Sequence, residues 1–188
     1  MPTDMVNELI LRRRSSRAIA ADRPVPAEAI ESMLEAARWA PSSGNAQPWR
    51  FIVVNDAPSL QDARNALKPG NQAWANAAPV LFVACANPAD DYEVGGQPLY
   101  LFDTGLAVQN LLLQGIHLGL VVHPMAGWDE EGIRNATGLP EPYRVICVIA
   151  VGYPGAPGAL PEDLQKREAA ERSRKTLTEI SHFNRWSR

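Results

Sequence analysis

Apolar residues recur along this chain at two different spacings, and the changes of spacing divide it into alternating helices and strands. Met5, Val6, Leu9 and Ile10 fall at helical spacing across Asp4–Arg13, with Thr3 or Asp4 as the expected N-cap. Ala27–Ala40 repeats the pattern through Ile30, Met33, Leu34 and Ala37, and Pro41 ends it. Phe51–Val54 reads as a short buried strand and Val80–Cys85 as a second. Between them, Pro58–Leu67 predicts a helix, followed by a turn at Pro69-Gly70. Asn87–Pro98, with two adjacent acids and a glycine pair, predicts a loop.

The segment Asp103–Leu120 differs from the earlier helices. Leu106, Val108, Leu111, Leu112, Leu113, Ile116 and Leu118 cover nearly every side of it, which places such a helix in a large core, in a membrane or between subunits. Asp103, Gln109, Asn110, Gln114 and His117 make it too polar for a membrane span, so a core helix of a dimer is expected. Trp128–Thr137 follows as a helix, with acids at its start and Gly138 at its end. His123–Trp128 reads as a Pro/Gly connection before it, one that exposes backbone N–H groups near Gly127. Val145–Val151 is the strongest strand pattern. Gly152–Pro161 reads as an extended linker, and Pro161–Arg188 as charged and loosely helical. These elements imply an α+β or α/β domain around one sheet, with strand direction left open.

Composition narrows the class without naming it. The 188 residues, 46% hydrophobic and 21% charged, fit one domain with a substantial core. A net charge of −3 gives the whole molecule no attraction for nucleic acid. Cys85 and Cys147 sit inside apolar runs, where a buried thiol is the default, and the three histidines are scattered, so no zinc site is expected. Without a long apolar N-terminal stretch, a cytoplasmic location is expected.

Two features carry chemistry. The decapeptide Pro41–Arg50 (PSSGNAQPWR) spends on a helix-to-strand link more residues than such links need. Ser42, Ser43, Asn45 and Gln47 are short, neutral hydrogen-bonding groups, stiffened by Pro41 and Pro48, and suit the edge of a flat heteroaromatic ring. An ordinary surface loop has the same composition. Arginines cluster at both ends, as Arg12, Arg13, Arg14 and Arg17 and as Arg167, Arg172 and Arg174. Converging, they would cradle a phosphate; apart, they are solvated patches. No Gly-x-Gly-x-x-Gly after a strand, no P-loop and no Gly-x-Ser-x-Gly elbow occurs.

Arg13-Arg14-Ser15-Ser16-Arg17, Pro41–Trp49, Met125–Asp129 and Arg172-Ser173-Arg174 stand in the order and spacing of one family. Over roughly Val6 to Trp186 the chain resembles the nitroreductases, FMN-dependent NAD(P)H oxidoreductases. That resemblance implies an α+β fold with a central, mainly antiparallel sheet flanked by helices. It also implies an intertwined homodimer whose interface contains the long buried helix. Residues 1–188 would form one FMN-binding domain, the segment from about 153 to 188 reaching over the partner. Arg13, Arg14, Ser15, Arg172 and Arg174 would serve the FMN phosphate, and Arg17, the one catalytic residue implied, the N1/O2 side of the flavin. Pro41, Ser42, Ser43 and Asn45 would approach the ring from the partner subunit. Asn71, with Gln72 beside it, would face the pyrimidine part, and Met125, Ala126 and Gly127 would offer backbone near N5 and O4. Several members have a carboxylate where this chain has Ala126, so no acid acts there. The implied reaction carries hydride from NADH or NADPH through the flavin to nitroaromatics, quinones or similar small electron-poor acceptors, with ping-pong kinetics. A different flavin reaction (dehalogenation, enone reduction, flavin breakdown) and a non-catalytic FMN sensor are the alternatives.

Overall fold

The computed structural model describes residues 5–186. The first helix, α1 (Glu8–Arg12), is shorter than its apolar spacing predicts, because Asn7 accepts the Leu9 N–H through its side chain and so caps the helix there. The expected caps, Thr3 and Asp4, lie outside the described residues. α2 (Ala27–Arg38) follows the predicted stripe and buries Ile30, Met33 and Ala37. Next come β1 (Trp49–Val54) and α3 (Ala57–Asn65), capped by Asp56. Pro69-Gly70 is a helix start rather than a turn. It opens α4 (Pro69–Ala75), where a proline in the first turn lacks only an N–H that would have no intrahelical partner.

β2 (Val80–Ala86) is buried throughout. Inside the predicted loop after it, β3 (Glu93–Val94) and β4 (Gln97–Pro98) form a two-residue-loop hairpin on Gly95 and Gly96, both at positive φ. α5 (Tyr100–His117) begins three residues earlier than its apolar run. Val121–Met125 is a strand, β5, whose last three residues, His123–Met125, read from the sequence as part of a connection. Pro124 within it obscured the pattern. α6 (Glu130–Thr137) ends on Gly138 in the left-handed region at φ 67°, as its sequence required. β6 (Arg144–Gly152), α7 (Glu162–Ala169) and α8 (Leu177–Ile180) complete the chain.

The four long strands form a sheet in the order β1-β2-β6-β5, every pair antiparallel. Strand alternation sends side chains to two cores. Leu81, Val83, Cys85, Val148 and Ala150 pack with α3, α4 and α7, while Phe82, Ala84, Ile149 and Val151 pack beneath α2 and α5. α5 approaches β5 closely at Gly115, where a Cβ would stand 2.5 Å from Val122 Cγ1. α2 and α5 run antiparallel, tied by Gln114 to Ser32 and by Asn110 to the Ala36 carbonyl. Among the described residues no helix is long and apolar enough to cross a membrane.

Candidate functional site

The two arginine clusters converge. Residues 13–17 lie as extended chain after α1, and Arg172 and Arg174 follow α7. Arg172 Nη1 donates to the Arg13 carbonyl at 3.0 Å, across 159 positions of sequence. Arg13 in turn donates to Ser15 Oγ at 3.2 Å. A cavity of 220 Å³ is lined by Arg13, Arg14, Ser15, Arg17, Arg167, Arg172 and Arg174, with Ala170 and Glu171. Burial, and then the charges of Arg174 and Arg172, hold the Arg13 guanidinium below its ordinary range. Cations crowded this closely repel one another, and an anion in the cavity would relieve that repulsion. The donor set fits a phosphate monoester: planar guanidinium forks and a serine hydroxyl around one small space.

Arg14 differs from its neighbours. Its guanidinium donates to the Glu168 carbonyl at 2.5 Å, so it braces α7 as well as lining the cavity.

The segment is continuous with a second group of predicted residues. The Ser16 carbonyl accepts from His123 Nδ1 at 2.9 Å, and the His123 ring lies 4.3 Å from that of Trp74 on α4. Three residues before Trp74, Asn71 donates through Nδ2 to the Gly127 carbonyl at 2.9 Å, and the Lys68 N–H reaches the same carbonyl at 3.0 Å. A Cβ on Gly127 would stand 2.8 Å from Asn71 Nδ2, so glycine is what lets the amide lie against the backbone here. The N–H groups of Ala126 and Gly127 make no hydrogen bond among the described residues. Met125 is buried in the core, which leaves its main chain, not its side chain, for any ligand. Arg17 links the two regions: besides the arginine cavity, it lines a cleft of 110 Å³ with Ala18, Trp74 and Leu160.

The loop after α2 is built differently. Ser43 donates to the buried Asp103 of α5 through its N–H at 2.9 Å and its hydroxyl at 3.3 Å. Ser42 Oγ accepts the Gln47 N–H at 3.0 Å, and Asn45 Oδ1 accepts from Gln47 Nε2 at 3.1 Å. Gly44, Asn45 and Gln47 lie at φ 57°, 58° and 47°, a conformation that costs non-glycine residues energy and is held by these bonds. Pro41 and Asn45 are exposed. Within one chain, Pro41, Ser42, Ser43 and Asn45 do not line the arginine cavity.

Sequence reading missed three residues that build the site: Glu168, Asp103 and the His123 side chain. The two acids do carry a signal. Each sits four residues from an apolar position on the buried stripe of its helix, Glu168 from Leu164 and Asp103 from Ala107. Burial pushes both thiols, Cys85 and Cys147, up to about 11, which makes them poor nucleophiles. Among the described residues no cluster of His, Cys, Asp or Glu is placed to hold a metal ion.

The model of the nitroreductase family matches residues 10–68 and 55–153. An NADH dehydrogenase of Thermus thermophilus is 32% identical over 181 residues, covering 79% of this chain and 86% of that protein. A protein of Archaeoglobus fulgidus, named for NADH dehydrogenase and NAD(P)H nitroreductase activity, is 35% identical over 153 residues, covering 78% and 84%. The crystal structure of an oxidoreductase containing FMN superposes with a TM-score of 0.87 at 31% identity, covering 97% of this chain and 93% of that one.

Proposed function

This chain belongs to the nitroreductase family, and from that premise we propose that it is an FMN-dependent NAD(P)H oxidoreductase acting on small electron-poor acceptors such as nitroaromatics and quinones. The observation that carries the reading is the convergence of Arg13, Ser15, Arg172 and Arg174 on one cavity from opposite ends of the chain. Bound there, FMN would supply two-electron redox chemistry between NAD(P)H and the acceptor, the two substrates using the site in turn in a ping-pong sequence.

The chain's own residues bind, orient and tune. Arg13, Ser15, Arg172 and Arg174 would hold the phosphate, with Arg14 supporting them from its bond to α7. Arg17, which lines both that cavity and the cleft beside Trp74, would keep a fixed positive charge beside the N1/O2 edge, where reduction accumulates negative charge. Asn71 commits its Nδ2 to Gly127 and keeps its Oδ1 to accept from the pyrimidine N–H. The unpaired N–H groups of Ala126 and Gly127 would donate along the N5/O4 edge. None of these groups is a dedicated general acid, so solvent can supply the proton.

The loop 41–47 would complete a neighbour's site in a homodimer. Two observations support this: the loop is rigidly held yet stands apart from its own chain's arginine cavity. In addition, the segment after α7 carries Leu177, Ile180, Phe183 and Trp186 between 52% and 88% exposed, apolar surface that a partner would cover.

The first test is optical. The purified protein is expected to be yellow, to release FMN on denaturation and to oxidise NADH or NADPH in the presence of menadione or a nitrofuran. A colourless protein that cannot be reconstituted with FMN would overturn the reading. Sedimentation is expected to find a dimer; a fully FMN-loaded monomer would overturn the shared site.

A further inference from the structure

Glu168 is one of the few charged residues buried among the described ones, and it spends its carboxylate in an unusual way. Six arginines line the adjoining cavity, yet among the described residues Glu168 forms no ion pair with any of them. Its Oε1 accepts the Ser16 hydroxyl at 2.5 Å and its Oε2 accepts the Arg17 N–H at 2.9 Å. Its carbonyl takes the Arg14 guanidinium. All three bonds reach back more than 150 positions in sequence, to the same short segment. On the other side of that segment, His123 holds the Ser16 carbonyl.

We propose that Glu168 is the positioning residue that joins the two halves of the phosphate cradle. It fixes the main chain at Ser16–Arg17 against the end of α7, from which Arg172 and Arg174 emerge four and six residues later. Because its oxygens are satisfied by a hydroxyl and a backbone amide, it does so without neutralising Arg13, Arg17 or Arg172, which stay available to an incoming anion. A carboxylate is suited to this task because it accepts two separate hydrogen bonds, each strengthened by its charge. The proposal rests on the reading that the arginine cavity takes the phosphate of FMN.

Flavin binding separates this role from a general loss of structure. Riboflavin shares the ring of FMN and lacks the phosphate. Affinities of both, titrated by flavin fluorescence, are compared in the wild type, Glu168→Ala, Glu168→Gln and Ser16→Ala. Removal of the buried acceptor is expected to weaken FMN by about 10- to 100-fold and riboflavin by far less, so that the FMN-to-riboflavin ratio collapses. Glu168→Gln keeps an acceptor for Arg17 and a polar partner for Ser16, and is expected to recover most of that ratio. Ser16→Ala breaks one of the three contacts and gives an intermediate, FMN-selective loss, which keeps the test open if Glu168→Ala does not fold. Equal weakening of both ligands, or an unchanged ratio in both Glu168→Ala and Ser16→Ala, would overturn the proposal. A wild type that binds FMN no more tightly than riboflavin would overturn the phosphate reading beneath it.

Discussion

Protonation of His123 should cost this fold stability in mild acid. Its ring is 7% exposed, lies against Trp74 and uses Nδ1 to hold the Ser16 carbonyl. Burial pushes its pKa down from 6.5 to about 4, opposed by the Ser16 bond and the Glu168 charge and assisted by the nearby charges of Arg17 and Arg13. The unfolded chain therefore binds the proton more readily than the folded one. The stability that neutral His123 confers is complete above pH 6.5, falls as pH drops below that value, and is gone once pH passes below about 4. A difference of about 2.5 pH units, at about 1.4 kcal/mol each, amounts to about 3 kcal/mol in full and about 2 kcal/mol by pH 5. His123→Asn keeps a donor near the Nδ1 position and removes the titration. Urea unfolding of both proteins at one protein concentration, in buffer free of phosphate, is the assay. Between pH 8 and pH 5 the wild type is expected to lose about 2 kcal/mol more than the variant, whose other acids and bases titrate alike. Parallel stability curves for the two proteins would refute the burial argument.

Other perturbations probe other parts of the molecule. Gly115→Ala places a methyl group 2.5 Å from Val122 Cγ1 and 3.1 Å from Met33 Cε, and overpacking there should cost about 1–3 kcal/mol in urea unfolding; an unchanged midpoint would show that α5 and β5 part easily. Gly127→Ala should drive the Asn71 amide off the Gly127 carbonyl and weaken FMN and riboflavin alike, about tenfold, as read by fluorescence titration. Arg17→Ala should slow flavin reduction by NAD(P)H in stopped flow by about 10- to 100-fold while weakening FMN binding less; unchanged hydride transfer would remove Arg17 from the electrostatic role.

The helices α2 and α5 and the strands β2 and β6 were legible because their apolar periods are long and uninterrupted. β5 was not, since Pro124 and His123 break its five residues, and α4 was not, since Pro69-Gly70 reads as a turn unless the helix after it is seen. For the site, local sequence supplied the two arginine clusters but not their meeting. Arg13 and Arg172 are 159 positions apart, and nothing in the periodicity of α7 says which way its end points. The family resemblance supplied that convergence, along with the antiparallel sheet. It did not supply the two buried acids, whose positions are a property of this chain's helix stripes.

Those two acids perform one task on opposite faces of the sheet. A loop that meets a ligand must expose polar atoms, and so cannot be fixed by apolar packing of its own. Asp103 lies in phase with Ala107 and Leu111 on α5, and from there it holds Ser43 at the start of the left-handed turn. Glu168 lies in phase with Leu164 on α7, and from there it holds Ser16 and Arg17. In both cases the helix is anchored by its apolar stripe, and one carboxylate in that stripe carries the anchorage to a main-chain amide and a serine hydroxyl of the loop. Burying each carboxylate costs several kcal/mol unless its hydrogen bonds are made, so the loop cannot leave without stranding the acid. The cost of burial thereby becomes the restraint: the same desolvation that makes an acid improbable on a buried stripe makes it an effective clamp once a loop amide and hydroxyl are in reach.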